Sequence, residues 1–192
     1  MPSYKKLLYK HCAVIVKSVL AEMQLCKVGS EGGNILPHDP VLYRWWFPDS
    51  SKVLTALRDF SCKDAEMADL LKKVETRQID GEKYHALYFG KSNDGHRRFA
   101  NHTFGDVRHS TLGLSVYGLC VGDQYDEANE EQINSILNEC YLEWLSFQKE
   151  GDLVECLEKI CIASGNYPLN LDGNPAISDS WRRKMMGIRR LK

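Results

Sequence analysis

The sequence predicts an α+β domain built on a small three-stranded sheet, and three observations predict it. Apolar and aromatic runs of strand length stand at 41–47, 82–90 and 140–148. Segments with apolar residues three and four apart fill much of the remaining chain. The Asp80-Gly81 pair is a turn signal directly before the second run. At 192 residues the chain suits one domain with decoration and can bury a sizeable core.

Taken in order, the first element is an amphipathic helix. Leu8, Cys12, Ile15, Val16, Val19 and Met23 fall on one face, for packing against the domain. Lys10, His11 and Lys17 interrupt its apolar run and no small-residue cleavage site follows, so it reads as a packed helix rather than a signal peptide. Residues 27–40 read as a loop punctuated by glycines and prolines. "VLYRWWF" then reads as a strand stopped by Pro48. Two short helices follow, the second with Met67, Leu70, Leu71 and Val74 at helical spacing. "EKYHALYFG" is the second strand, and a helix begins directly after it, capped by Asn93 or Ser92 with Asp94 at its positive end. Residues 110–120 and 126–139 read as helices. "CYLEWLSFQ" alternates as a third strand, and 151–164 is a helix ended by Gly165.

Composition narrows the function. Apolar content of 43% and charged content of 27% are those of a soluble globular protein. A net charge of −1 gives no global pull toward nucleic acid, so any such binding needs local clustering. Seven cysteines, an odd number without CxxC, point to small core residues in a reducing compartment rather than disulfides or structural zinc. No segment has the ~18 apolar residues of a membrane span. The expected location is cytoplasmic.

The junction "LYFGKSNDGHRRFANH" carries the chemistry. Arg98 and His102 are four apart and share a helical face, and Lys91 stands at the helix entry. With the N–H groups of the helix start, these can hold a phosphate, although a solvated basic face has the same pattern. On the late helix, Leu153, Leu157, Ile160 and Cys161 define an apolar side with Glu158 at its edge and Glu155 nearly opposite. A carboxylate at such an edge can bind a hard cation, or can be a simple boundary residue. Tyr43 and Tyr88 sit in the first two strands. They matter chemically only if their hydroxyls converge with Arg98, His102 and Glu158.

These segments together resemble the GIY-YIG nuclease superfamily. "YFG" at 88–90 is similar to the second signature tripeptide, and "VLY" at 41–43 stands where the first belongs. Arg98, with His102 four residues on, resembles the signature helix. "LEKICIASGNYPLN" resembles the late element whose Glu is followed by Pro and Asn, here Glu158 and Asn170. The resemblance covers about 37–172. It implies a mainly antiparallel sheet, an N-terminal extension over 1–36 and a basic tail over 173–192. Val41 replaces the first signature glycine. Tyr43 and Tyr88 lie 45 residues apart, much farther than the tripeptides usually do, so a helical insertion over about 49–80 must decorate the first hairpin.

The resemblance further implies metal-dependent endonuclease activity on phosphodiesters, leaving 5′-phosphate and 3′-hydroxyl ends. Glu158 is the expected ligand of Mg²⁺ or Mn²⁺, and Arg98 the neutraliser of the pentacovalent phosphate. Tyr43 is the first candidate to activate water, with His102 or a metal-bound hydroxide sharing that task. Tyr88 positions water or phosphate. Lys91 and Asn170 support the substrate, Asn170 by holding strand and helix together. The expected partner is nucleic acid, DNA first, with a homodimer suited to cutting both strands. The tail "WRRKMMGIRRLK" has six basic residues and no acidic one, and reads either as a phosphate-backbone contact or as a solvated helix. A binding or scaffold module that keeps the fold without catalysis is the alternative.

Overall fold

The computed structural model describes residues 4–29, 36–103, 109–122, 126–148 and 151–190, with backbone alone over 4–10. Part of the loop expected over 27–40, the Leu8 side chain and Lys192 lie outside the described residues. The elements run α1 (Tyr4–Ala21), β1 (Gln24–Lys27), β2 (Val41–Pro48), α2 (Lys52–Ser61), α3 (Ala65–Lys73), β3 (Thr76–Ile79) and β4 (Glu82–Ser92). They continue with α4 (Gly95–Thr103), α5 (Thr111–Cys120), α6 (Glu130–Asn138), β5 (Tyr141–Ser146), α7 (Gly151–Ser164) and α8 (Asp179–Ile188).

The sheet has five strands in the order β1-β5-β2-β4-β3, all pairs antiparallel, where the sequence predicts three. The two additional strands have four residues each and sit at the edges. Edge strands this short, with polar and exposed residues, carry no alternation that a periodicity argument can find. One of them, β3, lies inside the insertion expected to be helical. It closes a hairpin on β4 through Asp80 (φ 50°) and Gly81 (φ 84°), the two positive angles of a type I′ turn.

Alternation along β2 divides the core. Val41, Tyr43, Trp45 and Phe47 face one side, under α2 to α6 and α8, whereas Leu42 and Trp46 face the other, under α1 and α7. The buried side of α7 is Val154, Cys161 and Ile162 with Leu157 packed beside them. Leu153, expected on that side, is exposed. On α1, Val19 is buried and Val16 and Leu20 pack on the same cluster, as does Met23 just past its end, but Ile15 is exposed.

Arg44 is buried on the α1/α7 side and spends its fork on carboxylates. Nε and Nη2 donate to Glu143 Oε2 at 2.8 and 2.5 Å, and Nη1 donates to Glu75 Oε2 at 2.6 Å. Arg77 donates to the other Glu143 oxygen, and the two guanidiniums lie against Trp46 at 4.5 and 4.9 Å. A buried charge is tolerable only when paired in this manner.

The basic tail is a packed helix over most of its length. Trp181, Met185 and Ile188 are buried, and the Ser178 side chain caps α8 by accepting from Trp181 N–H. Arg182 donates to the carbonyls of Leu171 and Asn174, so it is not available to a phosphate chain.

Candidate active site

A register slip aims the tyrosines. Trp45 pairs with Tyr88 but Trp46 pairs with Ala86, so Leu87 is an extra residue in β4. Leu87 and Tyr88 therefore both belong to the core on the Tyr43 side. Tyr43 lies opposite Gly90, and its ring covers that glycine. A Cβ there would stand 2.8 Å from Tyr43 Cζ and Oη. This close approach is the physical reason for the glycine in "YFG". Val41 packs instead against the start of α4, where a Cβ on Gly95 would lie 2.9 Å from Val41 Cγ1.

The two phenol rings stack with their centroids 6.3 Å apart, and Tyr88 acts electrostatically on Tyr43. The Tyr43 hydroxyl also meets His102 Nε2 at 3.1 Å, and His102 Nδ1 meets Ser110 Oγ at 2.5 Å. Ser110 Oγ, the cap of α5, also accepts from Gly113 N–H at 2.8 Å, which fixes it beside His102. His102 thus bridges the Tyr43 and Ser110 hydroxyls through its two ring nitrogens.

Burial sets the protonation states. His102 is pushed down to about 3 by burial, with the Arg98 charge adding to the effect, so the imidazole is neutral. The Tyr43 phenol is raised well above its ordinary value by burial, reinforced by Tyr88 and Glu158 and opposed by Arg98. Tyr88 is also raised by burial, against the opposing charges of Arg189 and Arg98.

Glu158 reaches the site around a sheet edge. Past the end of β3, the outer side of β4 has no neighbouring strand, and other groups satisfy it. Leu169 N–H donates to Leu87 O at 3.0 Å. The Asn170 amide accepts from Phe89 N–H at 2.8 Å and donates to Phe89 O at 2.7 Å. Farther outward along β4 the Lys91 charge acts on the Glu158 carboxylate. Helix α7 thus packs on the face opposite the tyrosines while its Glu158 stands at the edge they share.

An open cleft of about 420 Å³ lies at this edge, lined among others by Tyr88, Glu158, Asn170 and Arg189. Tyr43 and His102, 2% exposed each, stand behind Tyr88 rather than in the cleft. Arg98 is half-buried beside Tyr43 and His102, and no carboxylate among the described residues pairs with it. Its charge acts on Tyr43, Tyr88, His102 and Glu158 together. Lys91 Nζ is held 3.3 Å from Glu155, which Lys159 also contacts at 2.8 Å. Arg189 is the residue that sequence reasoning did not single out. Only the apolar positions 181, 185 and 188 of its helix hinted that one end of the tail would return to the core.

Glu158 suits a divalent cation. The carboxylate is half-buried and raised by burial, and no cationic group among the described residues is in contact with it. It is one hard oxygen donor at a wet cleft, as Mg²⁺ prefers when water and phosphate oxygens complete its shell. No cluster of three His, Cys, Asp or Glu occurs among the described residues, so Glu158 would be a lone protein carboxylate.

The α+β domain thus places one phenol, a carboxylate and the Arg189 guanidinium at one cleft, with Tyr43 and Arg98 beside Tyr88. The family model for the GIY-YIG catalytic domain matches residues 41–191, and the chain belongs to that family. The match extends through α8. No curated protein and no solved structure matches the chain. No described helix is long and apolar enough to cross a membrane.

Proposed function

We propose that this chain is a divalent-metal-dependent endonuclease that hydrolyses phosphodiesters in DNA, leaving 5′-phosphate and 3′-hydroxyl ends. The carrying observation is that Glu158, a carboxylate without a cation, and Arg98, a guanidinium without an anion, both act on the Tyr43–Tyr88 pair beside an open cleft. Glu158 would hold Mg²⁺ or Mn²⁺, which when bound would stabilise charge on the leaving oxygen. Arg98 neutralises the pentacovalent phosphate.

The tyrosines work as a pair. Tyr43 was the expected water activator, and its burial supports a role through Tyr88. Tyr88, once its own proton has gone to solvent, takes the proton of the attacking water as a phenolate, while Tyr43, held by His102, stacks behind it. Asn170 and Lys91 keep β4 in place at the cleft. The free thiols support a reducing, cytoplasmic setting. The extension over 1–36 and the insertion over 49–80 are the places for target choice or homodimer contacts.

Supercoiled plasmid incubated with Mg²⁺ or Mn²⁺ tests the reading, with Glu158→Ala as control. Relaxed or linear product is expected from the parent alone. One observation favours the alternative of a binding module: both phenols are held neutral more firmly than ordinary tyrosines. Binding without cleavage under either metal would select it.

A further inference from the structure

Arg189 stands at the C-terminal end of α8 and lines the same cleft as Tyr88 and Glu158. Its guanidinium is pre-oriented. Nε donates to Ser115 Oγ at 3.2 Å on α5, and Nη2 donates to Leu169 O at 2.8 Å, beside the edge of β4. Nη1 has no partner among the described residues, and no carboxylate is in contact with the group. Asp172 acts on it only at longer range. The charge of Arg189 reaches Tyr88, as that of Arg98 does, so the cleft-side phenol has a guanidinium from α8 as well as one from α4. A planar fork fixed at two nitrogens loses little freedom when a third binds an anion.

We propose that Arg189 is a second phosphate-binding residue of this cleft, contacting the nucleic-acid backbone beside the linkage held at Arg98. This rests on the nuclease reading given above. It also divides the tail by role. Arg182 is structural and Arg189 reaches substrate. Arg183 on α8 and Arg190 just past its end are exposed beside the helix that ends at the cleft.

The test uses the full chain carrying Glu158→Gln, which removes cleavage, and measures fluorescence anisotropy with a labelled DNA duplex over a range of NaCl. Adding Arg189→Ala should weaken binding roughly tenfold and lower the salt slope by about 0.9, the signature of one lost phosphate contact. Adding Arg189→Lys should keep the slope and recover much of the affinity. A duplex with one neutral methylphosphonate, moved step by step past the cleft, should show a position where the parent loses affinity and the Arg189→Ala protein loses none. Ser115→Ala separates anchoring from contact, because it should weaken binding only slightly and leave the slope intact. Unchanged slope with lowered thermal stability in Arg189→Ala would make the residue an anchor for α8 and overturn the inference alone. A parent that binds neither duplex nor single-stranded nucleic acid would overturn the nuclease reading and this inference together.

Discussion

Replacing Gly90 with alanine tests the packing that sets the site. The new Cβ would stand 2.8 Å from Tyr43 Cζ and Oη and 3.0 Å from Cε2. One of the two groups must move. The ring cannot swing freely, because Tyr43 is 2% exposed and its hydroxyl is held at 3.1 Å by His102. Backbone movement is also resisted, since Phe89 on one side is bonded twice to Asn170. Overpacking of a fixed core costs about 1–3 kcal/mol. Urea unfolding of Gly90→Ala against the parent measures it, with Gly122→Ala as control, where a Cβ meets nothing within 4 Å. Nuclease turnover should fall with the stability, because the displaced ring is half of the phenol pair. A Gly90→Ala protein within about 0.5 kcal/mol of the parent, the range of an ordinary surface substitution, would refute the close approach of Tyr43.

Other outcomes follow from the same structure. Cleavage rate should rise about tenfold per pH unit from 6.5 to 9, because a phenol raised above its usual ~10 must lose its proton to act; a plateau near pH 7 would point to another base. His102 gives the acid side. Its value in the fold, about 3 against 6.5, means that stability is intact above pH 6.5 and is lost as pH falls toward 3. That fall corresponds to roughly 5 kcal/mol, and urea midpoints at pH 4 and 7 should converge for His102→Gln relative to the parent. Arg44→Ala should destabilise by about 3–5 kcal/mol by removing the buried partner of Glu143 and leaving it only the half-exposed Arg77, and Arg44→Met with Glu143→Leu should recover much of it in thermal melts.

The central strands were legible because their residues announce them. "VLYRWWF", "HALYFG" and "YLEWL" are branched, aromatic and buried, so pattern and structure agree. The edge strands β1 and β3 were not, since what fixes "QLCK" and "TRQI" is pairing with distant β5 and with β4 rather than local preference. Arg98 and His102 could be read as one helical face from their spacing. That Tyr88 rather than Tyr43 meets the cleft depends on the extra residue at Leu87, which no spacing rule exposes. Arg189 was hidden for a related reason. A basic tail reads as solvated until Trp181, Met185 and Ile188 are seen to bury it. Arg44 and Glu143, both inside strands, gave no sequence sign that they would find each other across the sheet.

The most direct measurement is single-turnover cleavage of a labelled duplex in Mn²⁺, comparing the parent with Arg98→Ala and Glu158→Ala. Each substitution should lower the rate at least ~100-fold, the scale of losing one charge-stabilising group, while the proteins remain folded by circular dichroism. Parent-like rates from either variant would contradict the account, because strand scission would then arise elsewhere than at this cleft.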